Sequence, residues 1–154
     1  MTTKAIPDGF FTVTAHLTVE GAAEAIEFYK QAFGAVELGR MAMPDGERLM
    51  HAMIRIGDSP VMLVDALEAF GSKDPKGLGG TPVTLNLYVE DAKAAFDKAV
   101  AAGCAVTMPL EERFWGDLYG RLTDPFGHSW AICQHVRDVS PDEMKKAAAA
   151  AFGG

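Results

Sequence analysis

Residues 12–19 alternate between apolar and polar side chains, with Val13, Ala15, Leu17 and Val19 on one side and Thr12, Thr14, His16 and Thr18 on the other. A period of two is that of a β-strand with one buried face. The period then changes. Ala22, Ala25, Ile26, Tyr29 and Phe33 recur at the spacing of one helix face, and Gly34 ends the run. Three shorter runs with strand character follow at about 35–43, 47–56 and 60–65, separated by Pro44-Asp-Gly46 and Gly57-Asp-Ser59.

The same order returns in the second half. Leu85, Leu87 and Val89 alternate with Thr84, Asn86 and Tyr88, after which Ala92, Ala95, Phe96, Ala99 and Val100 mark a helix face between an Asp91 N-cap and a Gly103 stop. Strand runs are expected at about 105–108, 117–123 and 128–135. At a shift of 70, Thr14, Leu17, Val19, Glu20, Ala22, Ala25 and Ala32 each meet an identical residue, and Gly57-Asp-Ser59 falls on Gly127-His-Ser129. One constant shift across separated blocks argues for duplication. The predicted fold is α+β: a single domain of two tandem βαβββ modules, about 8–66 and 82–136, whose sheets curl into a cup. A Gly-, Lys-, Asp- and Pro-rich link, about 67–81, is expected to be exposed or partly mobile. Ser140-Pro-Asp-Glu143 predicts a short C-terminal helix over about 140–152.

The chain has 154 residues, 49% of them hydrophobic and 23% charged, which is a globular balance. With a net charge of −7 and no basic stripe, nucleic acid and anionic membranes are not expected partners. No apolar run reaches the ~20 residues of a membrane span, and no signal peptide is evident, so a cytoplasmic protein is expected. Two cysteines, Cys104 and Cys133, do not make a disulfide scaffold. Phosphate loops, dinucleotide fingerprints and GxSxG elbows are absent.

Three stretches carry a family likeness: Gly21-Ala-Ala-Glu-Ala-Ile-Glu-Phe-Tyr-Lys-Gln-Ala-Phe-Gly34, His51-Ala-Met-Ile-Arg-Ile-Gly-Asp58, and Phe114-Trp-Gly-Asp117 with Asp124-Pro-Phe-Gly-His-Ser-Trp130. With the paired modules they resemble the vicinal oxygen chelate superfamily of glyoxalases, bleomycin-resistance proteins and dioxygenases, and within it the PhnB-like branch. The resemblance implies a small-molecule cup and a homodimer, and it specifies the fold far better than the reaction. In metal-dependent relatives, His or Gln on the first strand of each module and Glu on the last supply the ligands. Carried onto this chain, those positions are Thr14, Thr84, Ala131 and either Val61 or Leu63. Hydroxyl and alkyl groups cannot replace imidazole and carboxylate around a divalent ion. No cofactor is therefore expected. A divalent metal on shifted ligands, drawn from His16, Asn86, Cys133 and Asp65, remains the alternative.

Strand alternation nominates the rest. His51, Met53 and Arg55 should face the cup opposite Ala52, Ile54 and Ile56, as should Asp117, Tyr119, Arg121 and Thr123 opposite Leu118 and Leu122. His51 and Asp117 are candidate acid–base residues; the plainer reading pairs Asp117 with Arg121 or His51 as a structural contact. Thr14, His16, Met53, Asn86, Tyr88, Trp115, Tyr119 and Arg121 are candidate ligand-binding residues, suited to a flat, partly polar organic molecule. Met50 and Met62 are assigned to the core, and for Met41, Met43 and Met53 a soft apolar lining is the lesser alternative to plain core filling. The favoured reading is a metal-independent binder of an amphipathic or aromatic small molecule. Two alternatives stand beside it: a metalloenzyme of glyoxalase or dioxygenase type with shifted ligands, and a metal-independent lyase or isomerase using His51.

Overall fold

The computed structural model describes residues 2–153. Its element order is the duplicated one: β1 (Ala15–Val19), α1 (Ala22–Phe33), β2 (Val36–Ala42), β3 (Leu49–Ile56) and β4 (Ser59–Asp65), then α2 (Pro75–Leu78), then β5 (Thr84–Tyr88), α3 (Ala92–Ala102), β6 (Ala105–Glu112), β7 (Asp117–Thr123) and β8 (Ser129–His135), and last α4 (Pro141–Ala151). The chain divides into two compact units, Met1–Thr81 and Pro82–Gly154. Each holds one four-stranded mixed sheet, ordered β1-β4-β3-β2 in the first and β5-β8-β7-β6 in the second. β1 runs parallel to β4 and β5 parallel to β8, and the other pairs are antiparallel.

Each sheet buries the face that carries its helix. In the first unit Leu17, Val19, Ile54 and Leu63 are buried with Ala25, Ile26 and Tyr29 of α1; in the second Leu122, Trp130 and Ile132 are buried with Phe96 and Ala99 of α3. Apolar area leaving water at both interfaces is the main favourable term holding helix to sheet. The opposite face of each sheet, termed here the open face, is left for other work.

Polar side chains from the last strand hold the helix starts. Asp65 Oδ1 accepts from the N–H groups of Gly21 (2.8 Å) and Ala22 (3.0 Å), and its Oδ2 accepts from Leu49 N–H at 2.7 Å. In the second unit Gln134 Oε1 accepts from Ala92 N–H at 2.9 Å, and Asp91 caps its own helix through Ala94 N–H at 3.0 Å. Gly34, at φ 67°, closes α1 in the left-handed conformation that other residues avoid. Ser140 caps α4 through Glu143 N–H at 3.2 Å.

Three elements differ from expectation. β1 begins at Ala15 rather than near residue 12, because pairing with β4 starts at Ala15–Val61; Val13, without a strand beside it, is 86% exposed. β6 runs to Glu112, past Pro109, where the run was expected to end at 108. It is an edge strand with register irregularities between Val106 and Glu111, the setting in which a strand tolerates a proline. The link, mostly exposed as expected, also holds short elements its composition does not announce: a 3-10 turn (Glu68–Phe70) and α2, with Leu67 and Pro75 buried and Asp74 capping α2.

Candidate functional site

Register decides which side chains share an open face. Partners directly across a ladder point the same way, and neighbours along a strand point apart. In the first unit one row runs His16–Met62–Met53–Gly39, and beside it Thr18–Val64 lead to His51 and Met41. In the second unit the rows are Asp117 with His135; Tyr88, Cys133 and Tyr119; Asn86, Ala131 and Arg121; and Thr84, Ser129 and Thr123. The candidates His16, His51, Met53, Asn86, Tyr88, Asp117, Tyr119 and Arg121 therefore all stand on open faces. Thr14 lies one residue before β1, and Trp115 lies in the turn leading into β7.

Rings from β1 and β3 meet in the first unit. His16 and His51 lie edge to face, 6.0 Å between centroids. Partial burial, and then the charge of His51, hold His16 below its ordinary pKa, so it is a neutral ring at neutral pH. Beside them Leu38, Gly39, Arg40, Met41, His51 and Met53 line a recess of about 230 Å³. Met62 belongs to this face and Met50 is 41% exposed, so neither is a core residue as expected; the core side of β3 and β4 is filled by Ala52, Ile54, Val61 and Leu63.

The second unit carries a denser network. Tyr88 donates its hydroxyl to Asp117 Oδ2 at 2.8 Å, His135 Nδ1 bonds Asp117 Oδ1 at 2.8 Å, and His135 Nε2 bonds Asp138 at 2.7 Å. Burial pushes the Asp117 carboxyl up, but the hydrogen bonds from His135 and Tyr88 outweigh it and the net direction is down. Hydrogen bonds to Asp138 and Asp117 raise His135. The bond to Asp117 lifts the Tyr88 phenol to about 12. Sequence alternation offers His51 or Arg121 as the partner of Asp117. The carboxylate is instead occupied by His135 and Tyr88, and Arg121 turns to Tyr119, donating from Nη2 to its hydroxyl at 3.1 Å. Trp115 and Tyr119 rings lie 5.6 Å apart, with Phe114 edge-on to Trp115 at 5.1 Å.

The ligand positions of metal-dependent relatives can now be checked against these rows. The first-unit position equivalent to Ala131 is Met62, not Val61 or Leu63: Ala131 pairs with Asn86, and Met62 pairs with His16. The donor set becomes Thr14, Met62, Thr84 and Ala131. Two hydroxyls, a thioether and a methyl do not fit a hard divalent ion. The shifted set fails on geometry. Asp65 stands on the helix face with both oxygens bonded to backbone N–H groups, so it cannot join His16 on the open face. Cys133 shares the open face, but burial and then Asp117 push its thiol up to about 11, away from the thiolate a metal requires. Among the described residues no group of three or more His, Cys, Asp and Glu is placed to hold a metal ion. A second recess of about 420 Å³, at the start of α1, is walled by Glu20, Glu24, Glu47 and Glu68 around Asp65, whose carboxylate is already committed to the backbone.

The profile of the Glyoxalase/Bleomycin resistance protein/Dioxygenase superfamily matches residues 11–132. The chain belongs to that superfamily. It is 49% identical over 138 residues to the Mycobacterium bovis protein Mb0911c, covering 88% of this chain and 90% of the relative. The X-ray structure of the Arabidopsis thaliana At5g48480 gene product superposes with a TM-score of 0.64 at 31% identity, over 80% of this chain and 98% of that one. A PhnB protein from Bacillus cereus shares the fold, with a TM-score of 0.63 at 21% identity, over 80% of this chain and 99% of that one. In this superfamily member, His135 joins the network of Asp117 and Tyr88 although alternation alone did not single it out. A search for titratable residues in phase with Asp117 across the 117–135 hairpin would have found it.

Proposed function

We propose that this superfamily member binds an amphipathic or aromatic small molecule without a metal ion, on the open face of the second unit. One observation carries the reading. The positions at which metal-dependent relatives place ligands are Thr14 and Met62 in the first unit and Thr84 and Ala131 in the second, and the open face of the second unit gathers Tyr119, Tyr88, Asn86 and Arg121, with Trp115 against Tyr119. Aromatic edges and a few hydrogen-bonding groups are what a pocket for a flat, partly polar molecule requires. Sequestration of such a molecule would require only complementarity and no reacting group.

On this face the groups that could move protons, Asp117, His135 and Tyr88, are bonded to one another. Both ring nitrogens of His135 are bonded to carboxylates, which favours the imidazolium and leaves no free base. Cys104, pushed up to about 12 by burial, and Cys133 are thiols at neutral pH.

The test is a thermal-shift screen of EDTA-treated protein against bicyclic aromatic compounds. A binder selective for the native state raises the melting temperature in proportion to its excess over Kd. Binding is expected to survive EDTA and to weaken about tenfold in Trp115→Ala, the effect of losing one aromatic contact. Binding that appears only when a divalent ion is added back would overturn the proposal.

A further inference from the structure

Arg121 differs from the other five arginines of the chain. Arg40, Arg48, Arg113 and Arg137 each hold a carboxylate, Glu37 at 2.7 Å, Asp45 at 2.9 Å, Glu111 at 3.2 Å and Glu112 at 2.9 Å. Arg55 is exposed, and water solvates it. Arg121 is half-buried and has no carboxylate partner among the described residues. Its Nη2 reaches the Tyr119 hydroxyl, and its Nε–H is buried with no acceptor. A buried donor without an acceptor is uncommon in folded proteins and costs about as much as a lost hydrogen bond, more when the group is charged. In a chain of net charge −7 there is no shortage of carboxylates that could have been placed there.

The surroundings specify what is missing. The guanidinium carbon lies 6.0 Å from the Tyr119 ring centroid, and the Trp115 ring centroid lies 5.6 Å from that of Tyr119. Across the ladder from Arg121 is Ala131, the position that carries a glutamate in metal-dependent relatives, and here it offers only a methyl. Next in the row is the exposed amide of Asn86. A molecule lying along this strip meets aromatic edges at one end and an unmatched cation at the other. A guanidinium fork takes a carboxylate through two parallel N–H bonds, the geometry in which arginine exceeds lysine.

We propose that the ligand of this face is an aromatic carboxylate, its acid group paired with Arg121 and its ring against Tyr119 and Trp115. The inference rests on the binding reading above and adds the charge of the ligand.

Two probes of the same shape separate the two claims: 1-naphthaleneacetate and its neutral analogue 1-naphthaleneacetamide, titrated calorimetrically into the full-length protein at low salt. The acid is expected to bind about tenfold or more tighter than the amide, as for a charge-assisted bidentate contact. Arg121→Gln should bring the affinities of acid and amide to near parity. Should that variant lose its fold by circular dichroism, Tyr119→Phe carries the same test: it frees Nη2 from its hydroxyl partner and should change acid affinity severalfold more than amide affinity. Equal binding of acid and amide by the wild-type protein overturns the charge assignment and leaves the binding reading standing. So does a preference for acid that persists in Arg121→Gln. Binding of neither probe up to its solubility limit removes the binding reading and the assignment together.

Discussion

Asp117 accepts hydrogen bonds from a phenol and an imidazole, and that imidazole, His135, lies between two carboxylates. The pH behaviour follows from the directions of the shifts. In an unfolded chain His135 ionises near 6.5. Contact with Asp138 and Asp117 raises it, so the stability it contributes is complete below pH 6.5 and is lost as pH climbs past the raised value. Asp117 moves the other way: its contribution is present above about pH 3.9 and is lost as pH falls through its lowered value. The network is therefore intact from about pH 4 to somewhat above 6.5. His16, lowered by partial burial and His51, should titrate below 6.5. Imidazole NMR titration is expected to give His135 a midpoint above that of His16, and Asp117→Asn should bring His135 down; the reverse order would refute the assignment. Alternation along β7 and β5 is enough to place Asp117, Tyr119, Arg121, Asn86 and Tyr88 on one face. Alternation alone does not reveal that His135 meets Asp117, because that contact depends on the register of the β7–β8 hairpin.

Among the elements, the last strand of each unit caps the helix that follows the first. Asp65 and Gln134 occupy the same place, Asp65 in register with Val19 and Gln134 one step beyond the Tyr88–Cys133 pair. They lie 69 residues apart, whereas the helices they cap lie 70 apart. One residue has been gained or lost between the copies, and in a structure of period two that moves a side chain to the other face. This is why a uniform shift of 70 puts Asp65 on the open face and points to Val61 or Leu63 where Met62 stands. The succession of elements along the chain, the two long helices of the modules and their stops are legible in the sequence because their signals are local; the phase of β4 is not, because it is set by pairing. Asp65→Ala leaves three N–H groups without their acceptor and is expected to cost about 3 kcal/mol in denaturant unfolding. Gln134→Ala, which removes one neutral contact, should cost about 1 kcal/mol. A larger loss from the glutamine variant would contradict this account of the caps.

Over the whole molecule, the segment joining the two compact units presents exposed protease sites outside every strand. Phe70 is 72% exposed and Leu78 67% exposed, yet neither lies in a strand that must open first. Limited chymotrypsin digestion is expected to cut after Phe70 or Leu78 before any site within β1–β8; a first cut inside a strand would show that a sheet opens more readily than the connection. Sequence composition marks this segment as exposed. What it does not disclose is that Leu67, Asp74 and Pro75 anchor it, since their burial comes from tertiary contacts.

The place of β1 at a sheet edge, beside the final strand of its unit, bears on how the protein is made. On a ribosome the first strand emerges early and stays unmatched until residues 61–65 arrive to pair with it. The first sheet then has all its members while β7 and β8 are still untranslated. A repeat built this way can close its leading half ahead of the trailing one, which shortens the time that two similar sets of strands could exchange partners.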